Sequence, residues 1–141
     1  MAKVLILDDV EEYLASLKNA LRDEFEIITV SSLEEAKHYT DNTIDIALVD
    51  IRLSEEDPSN KDGLLYLEWV KMNFPQISVI MMSAYREFDL AVESLNLGAS
   101  YFLRKPINLL ELKALLRIFA EKKDTEKELA QLRHNLTERE T

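Results

Sequence analysis

The run Ile44-Asp45-Ile46-Ala47-Leu48-Val49-Asp50 decides the reading of this chain. It is short and mostly apolar, which points to a buried strand, and it closes on a carboxylate. Three other apolar runs close on polar groups. Lys3-Val4-Leu5-Ile6-Leu7 delivers Asp8 and Asp9. Val79-Ile80-Met81-Met82 delivers the Ser83 hydroxyl. Ser100-Tyr101-Phe102-Leu103-Arg104 delivers Lys105, followed by Pro106. In open parallel α/β sheets, sites form in the crevice beyond the carboxyl ends of the strands. These segments therefore predict one shared pocket holding Asp8, Asp9, Asp50, Ser83 and Lys105.

Three carboxylates crowded together stay ionised near neutral pH only with cations among them. Lys105 supplies one positive charge. A hard, oxygen-rich site suited to phosphate chemistry points to Mg²⁺ for the rest. Each residue also has a plainer role open to it. Asp9 could cap a helix, with Glu12 three positions on. Ser83 could be another helix cap, and Lys105 a solvated loop residue. The coincidence of all four strand ends favours the shared pocket.

Working outward, apolar strands alternate with amphipathic helices five times. Strands fall near residues 3–8, 26–30, 44–50, 77–82 and 100–104. They are rich in Val, Ile and Leu, as expected for a sheet covered on both faces. Helices are expected over about 11–23, from Ser32 with Glu35 completing a capping box, over about 63–73, over about 86–97, and from Asn108 onward. Leu90, Leu95 and Leu97 are assigned to the fourth helix, which ends at Gly98. The repeat predicts an α/β fold with a doubly wound five-stranded parallel sheet. The last helix meets no Gly or Pro and could reach about residue 138. Ile118, Lys122, Thr125, Leu129, Leu132 and Leu136 form a short heptad seam with weak middle positions. A solvated tail is the equal alternative.

The chain has 141 residues, which is about one domain, and no cysteine. Its formal charge of −10 disfavours direct nucleic-acid binding. With only two glycines, a Gly-rich phosphate loop is excluded. No segment approaches the roughly 20 apolar residues that span a bilayer, so a cytoplasmic protein without membrane contact is expected.

Taken together, Asp8-Asp9, Asp50, Ser83-Ala84, Leu97-Gly98-Ala99, Phe102 and Lys105-Pro106 resemble the receiver domain of two-component response regulators, over about residues 3–120. The resemblance implies a flavodoxin-like strand order, 2-1-3-4-5. It implies that Asp50 accepts a phosphoryl group from a histidine kinase or phosphotransfer protein. Mg²⁺ would be held by Asp8, Asp9, Asp50 and the backbone carbonyl of Arg52. Lys105 would pair with a phosphoryl oxygen, and Ser83 and Phe102 would act as the switch. Such a chain is a signalling phosphoacceptor rather than a turnover enzyme. Residues 1–120 would form the receiver and 121–141 a helical linker to a C-terminal output domain, with a homodimer expected. Two departures stand out: Ser54 occupies a position where the family often has proline, and the 54–62 segment is longer than usual. It is expected to be a surface rim element. Two rival readings are an interaction module that has lost the phosphorylation chemistry and an Asp-nucleophile phosphatase of the haloacid dehalogenase type. The latter needs Asp-x-Asp after the first strand, where this chain has Asp8-Asp9-Val10.

Overall fold

The structure is a computed structural model describing residues 1–54, 56–84 and 88–140. In chain order the elements are β1 (Lys3–Leu7), α1 (Glu11–Leu21), β2 (Glu26–Val30), α2 (Leu33–Tyr39), β3 (Ile46–Asp50), α3 (Asp62–Asn73), β4 (Ser78–Ser83), α4 (Phe88–Asn96), β5 (Tyr101–Arg104) and α5 (Leu109–Glu140). The five strands form one parallel sheet in the order β2-β1-β3-β4-β5, the expected flavodoxin-like arrangement.

Burial on both faces explains the unbroken apolar runs. Residues of β3 alternate between two cores: Ala47 and Val49, with Ile51 just past the strand, pack with α2, α3 and α4. Ile46 and Leu48 pack on the other side with Leu14, Leu17 and Leu21 of α1 and Leu112 and Leu116 of α5. Each such Val, Leu or Ile contributes roughly 1.5–3 kcal/mol when fully buried. Gly98 ends the fourth crossover in a left-handed conformation, φ 103°, which a side chain would resist.

Register, which the sequence does not reveal, is what assembles the pocket. Leu7 is paired with Val49, Asp50 with Met82 and Ser83 with Arg104. The next residue on each strand therefore emerges at the same edge. Neighbouring strands lie about 4.8 Å apart, so Asp8 and Asp50 stand side by side.

Several local readings need correction. Leu97, expected within the fourth helix, follows its end at Asn96, and Leu95 of that helix is 50% exposed. Leu95 lies five positions after Leu90, about 140° round the helix at 100° per residue. Ser94 takes the inward place instead, its hydroxyl donating to the Leu90 carbonyl at 2.8 Å. The cap of α1 is Val10, without a side-chain bond, so Asp9 is not spent as a cap. Ser32 does cap α2, accepting from the Glu35 N–H at 3.1 Å, and Asn108 caps α5 in the same way from Glu111 at 3.1 Å. The expected start of the fourth helix near Arg86, its acidic Glu87, and Glu55 in the long loop lie outside the described residues.

The 54–62 segment is a surface element with its own bonds. Asp57 accepts from the Ser59 N–H at 3.0 Å, and Asn60 accepts from the N–H groups of Leu53 at 3.0 Å and Asp62 at 3.1 Å. Its described residues are exposed or half-buried. At its end, Gly63 approaches the strand so closely that an added Cβ would lie 2.1 Å from the Asp50 carbonyl oxygen.

The last helix does not leave the domain where the core ends. Lys123 is 9% exposed, and its ammonium donates to the Gln76 carbonyl at the base of the sheet. One turn on, Lys127 reaches an Asp45 carboxylate oxygen at 3.3 Å. Beyond that, Leu129, Leu132 and Leu136, with Ile118 before them, lie on the surface. Arg117 is held within the chain by a two-pronged pair to Glu24, both bonds 2.6 Å.

Candidate functional site

The strand ends converge as their register requires. Asp8 and Asp50 are buried, and Asp9 is half-buried beside them. One carboxylate oxygen from each of the three lies within 4.8 Å of the others. Asp8 is fixed at both oxygens: Oδ1 accepts from the Val10 N–H at 2.9 Å and Oδ2 from the Lys105 ammonium at 2.6 Å. That ammonium also donates to Asp50 Oδ2 at 3.2 Å. Lys105 is delivered by β5, and its backbone N–H donates to the Ser83 carbonyl at 2.9 Å. A cis peptide joins Lys105 to Pro106.

Three carboxylates and one ammonium leave two negative charges uncompensated. Burial pushes the Asp50 carboxyl up to about 7, the Lys105 charge opposes this, and Asp8 adds to it. Burial alone would lower the Lys105 ammonium, but its bond to Asp8 and the Asp50 charge together hold it above its ordinary value. Among the described residues, the three clustered carboxylates thus outnumber the one ammonium paired with them. Three hard oxygen donors at this spacing fit a divalent cation such as Mg²⁺, which binds through one or two carboxylates and keeps several waters.

Ser83 ends β4 and is fully buried. Phe102 of β5 is half-buried and packs on the face shared with α3 and α4. Arg52 is half-buried two residues past Asp50, and its charge helps hold the Asp57 carboxyl below the usual range, after the bonds from Ser59. All the sequence-selected residues therefore fall at or beside one edge of the sheet. Tyr13, which sequence reasoning passed over, belongs with them: the Lys105 ammonium sits 4.8 Å from its ring centroid. Its signal was position, four residues after Asp9 and so one helical turn above the carboxylates.

Residues 4–117 match the response regulator receiver domain family. The chain belongs to that family. This receiver is a domain of two-component signalling, whose members work as phosphoacceptors. It is 30% identical to the regulatory protein AtoC of Escherichia coli K12, over 96% of its own length but 29% of that protein's. The chain thus spans under a third of the length of such curated relatives. Among solved structures, a CheY-like receiver domain protein from Methanospirillum hungatei superposes with a TM-score of 0.79 at 27% identity, covering 89% of the receiver and 98% of that chain. NtrX from Brucella abortus gives a TM-score of 0.79 at 26% identity, covering 94% of the receiver and 29% of that chain. Among the described residues, no helix is long and apolar enough to cross a membrane.

Proposed function

We propose that Asp50 is the residue that accepts the phosphoryl group. The observation that carries this is its buried carboxylate at the end of β3, 3.2 Å from the Lys105 ammonium and clustered with Asp8 and Asp9. An Asp50 carboxylate oxygen attacks the phosphorus of a phosphohistidine on a kinase or phosphotransfer protein. The new O–P bond forms as the N–P bond breaks, and the imidazole leaves with the electron pair. Such transfer is chiefly positioning and charge neutralisation. Asp8, Asp9, Asp50 and the Arg52 backbone carbonyl would hold Mg²⁺, which when bound supplies positive charge against the three carboxylates. Lys105 meets a phosphoryl oxygen, and Ser83 donates to another.

In this reading the Ser83 movement opens room for Phe102, whose rotation changes the surface of α4, β5 and α5. The chain acts catalytically only on itself, not as a turnover enzyme, and it works in the cytoplasm. Residues 1–120 form the receiver, and 121–141 connect it to a C-terminal output domain. The −10 charge leaves nucleic-acid contact to that output domain. The exposed seam through Leu129, Leu132 and Leu136 supports a two-fold homodimer.

The test is incubation with acetyl phosphate or phosphoramidate and Mg²⁺, with the adduct mapped by mass spectrometry. Asp50 should carry the label. Asp50→Asn protein that labels as well as the parent would sink the assignment.

A further inference from the structure

We propose that Tyr13 is a positioning residue for phosphoryl transfer, its ring face holding the Lys105 ammonium in place between Asp8 and Asp50. The inference rests on Asp50 being the phosphoacceptor. Three contacts fix the ammonium: Asp8 Oδ2 at 2.6 Å, Asp50 Oδ2 at 3.2 Å and the Tyr13 ring centroid at 4.8 Å. A cation over an aromatic face is attracted by the ring quadrupole, more strongly where water is excluded. Lys105 itself is mostly withdrawn from solvent, its side chain 17% exposed. Val10, Ala84, Pro106 and Ile107 line the cleft that Tyr13 and Lys105 share.

The three contacts do not survive the reaction equally. When the O–P bond forms, one Asp50 oxygen is consumed and the negative charge moves out onto the phosphoryl group. Lys105 must then exchange its Asp50 bond for a phosphoryl oxygen. The ring contact is unaffected by that exchange, so it keeps the ammonium aimed at the strand end throughout. Positioning a charge before the reaction avoids reorganisation during it.

The ring, not the hydroxyl, carries the proposed role. The ring packs against the α1 and α5 core, a role phenylalanine would fill. The hydroxyl is buried without a hydrogen-bond partner, so it adds nothing to packing.

The experiment uses the full chain with phosphoramidate and Mg²⁺, so that kinase docking plays no part. Tyr13→Leu should slow labelling about ten-fold, the order expected for a partly desolvated cation on a ring. Tyr13→Phe, which keeps the ring face, should restore most of the rate. In a Lys105→Met background, Tyr13→Leu should bring no further loss, because the ring acts through the ammonium. If the leucine protein fails to fold, fluorinated phenylalanines at position 13 keep the shape while draining the ring face. The rate should then fall stepwise with fluorination. A parent rate in Tyr13→Leu, an undiminished loss in the Lys105→Met background, or indifference to fluorination would each overturn the proposal. Label appearing elsewhere than Asp50 in the parent would instead overturn the reading beneath it.

Discussion

Replacing Asp50 with asparagine should stabilise the domain in metal-free buffer, by an amount that grows with pH. The native Asp50 carboxyl titrates near 7, chiefly because it is buried, while Lys105 restrains the shift. In the unfolded chain it titrates near 3.9. Between these values the native state holds one proton more than the unfolded state, so stability falls as pH rises. The contribution is fully present below about pH 4 and is lost once pH passes about 7. Three units at 1.36 kcal/mol each give about 4 kcal/mol. Asparagine carries no charge to desolvate but still needs polar partners, so a net gain of about 2–4 kcal/mol near pH 8 is expected. Urea unfolding with excess chelator, followed through the half-buried Trp69 stacked on Tyr66, reads it directly. The gap between the two proteins should open from about pH 4.5 to about pH 8, with unchanged m-values. Mg²⁺ should then close the gap by stabilising the parent alone. A gap that does not vary with pH would show that burial of the Asp50 charge carries no such cost.

Other outcomes follow from the same geometry. Gly63→Ala would set a Cβ 2.1 Å from the Asp50 carbonyl oxygen and 2.6 Å from the Ile51 Cα. Because both atoms are backbone, stability should drop by at least the roughly 1–3 kcal/mol of overpacking, with slower labelling of Asp50; calorimetry showing a parent-like Tm would contradict this. Asp9→Ala should abolish saturable Mg²⁺ binding in calorimetric titration, and equal affinity in the two proteins would remove Asp9 from the ligand set. Removing Lys123 and Lys127 together should speed amide exchange after residue 120 about ten-fold while the sheet is untouched, since a hydrogen bond to a charged group contributes about 1.5–3 kcal/mol. The full chain should self-associate in sedimentation, and truncation after Lys123 should abolish this; a monomeric full chain would refute the dimer, and a dimer that survives truncation would discharge the leucine seam.

Much of the pocket was readable because each strand announces its own end. An apolar run stopped by Asp8, Asp50, Ser83 or Lys105 needs no tertiary information to be recognised. What joins those ends is register, and a uniformly buried strand such as Ile46–Asp50 offers no alternation from which to derive it. On α4 composition points to leucines for the core, yet geometry gives an inward place to Ser94, which satisfies its hydroxyl against its own helix. Tyr13 is easily passed over because, beyond its position after Asp9, its contact is with a lysine 92 positions away. Lys123 was hidden for the opposite reason. A charged residue beyond the family match reads as solvent-facing, and only the fold reveals that the Gln76 carbonyl waits beneath it.

That pair of lysines has a mechanical meaning. Lys123 and Lys127 grip the domain one turn apart, so α5 behaves as a shaft whose rotational phase is set at its root. Everything the shaft displays beyond that grip, including Leu129, Leu132 and Leu136, faces an azimuth fixed by the sheet. One residue inserted after Lys127 would turn that stripe by about 100°, while seven would return it nearly to its starting azimuth. A surface that reads the stripe is therefore reading the orientation of the domain as well as its leucines, and angular phase becomes a quantity this chain can transmit.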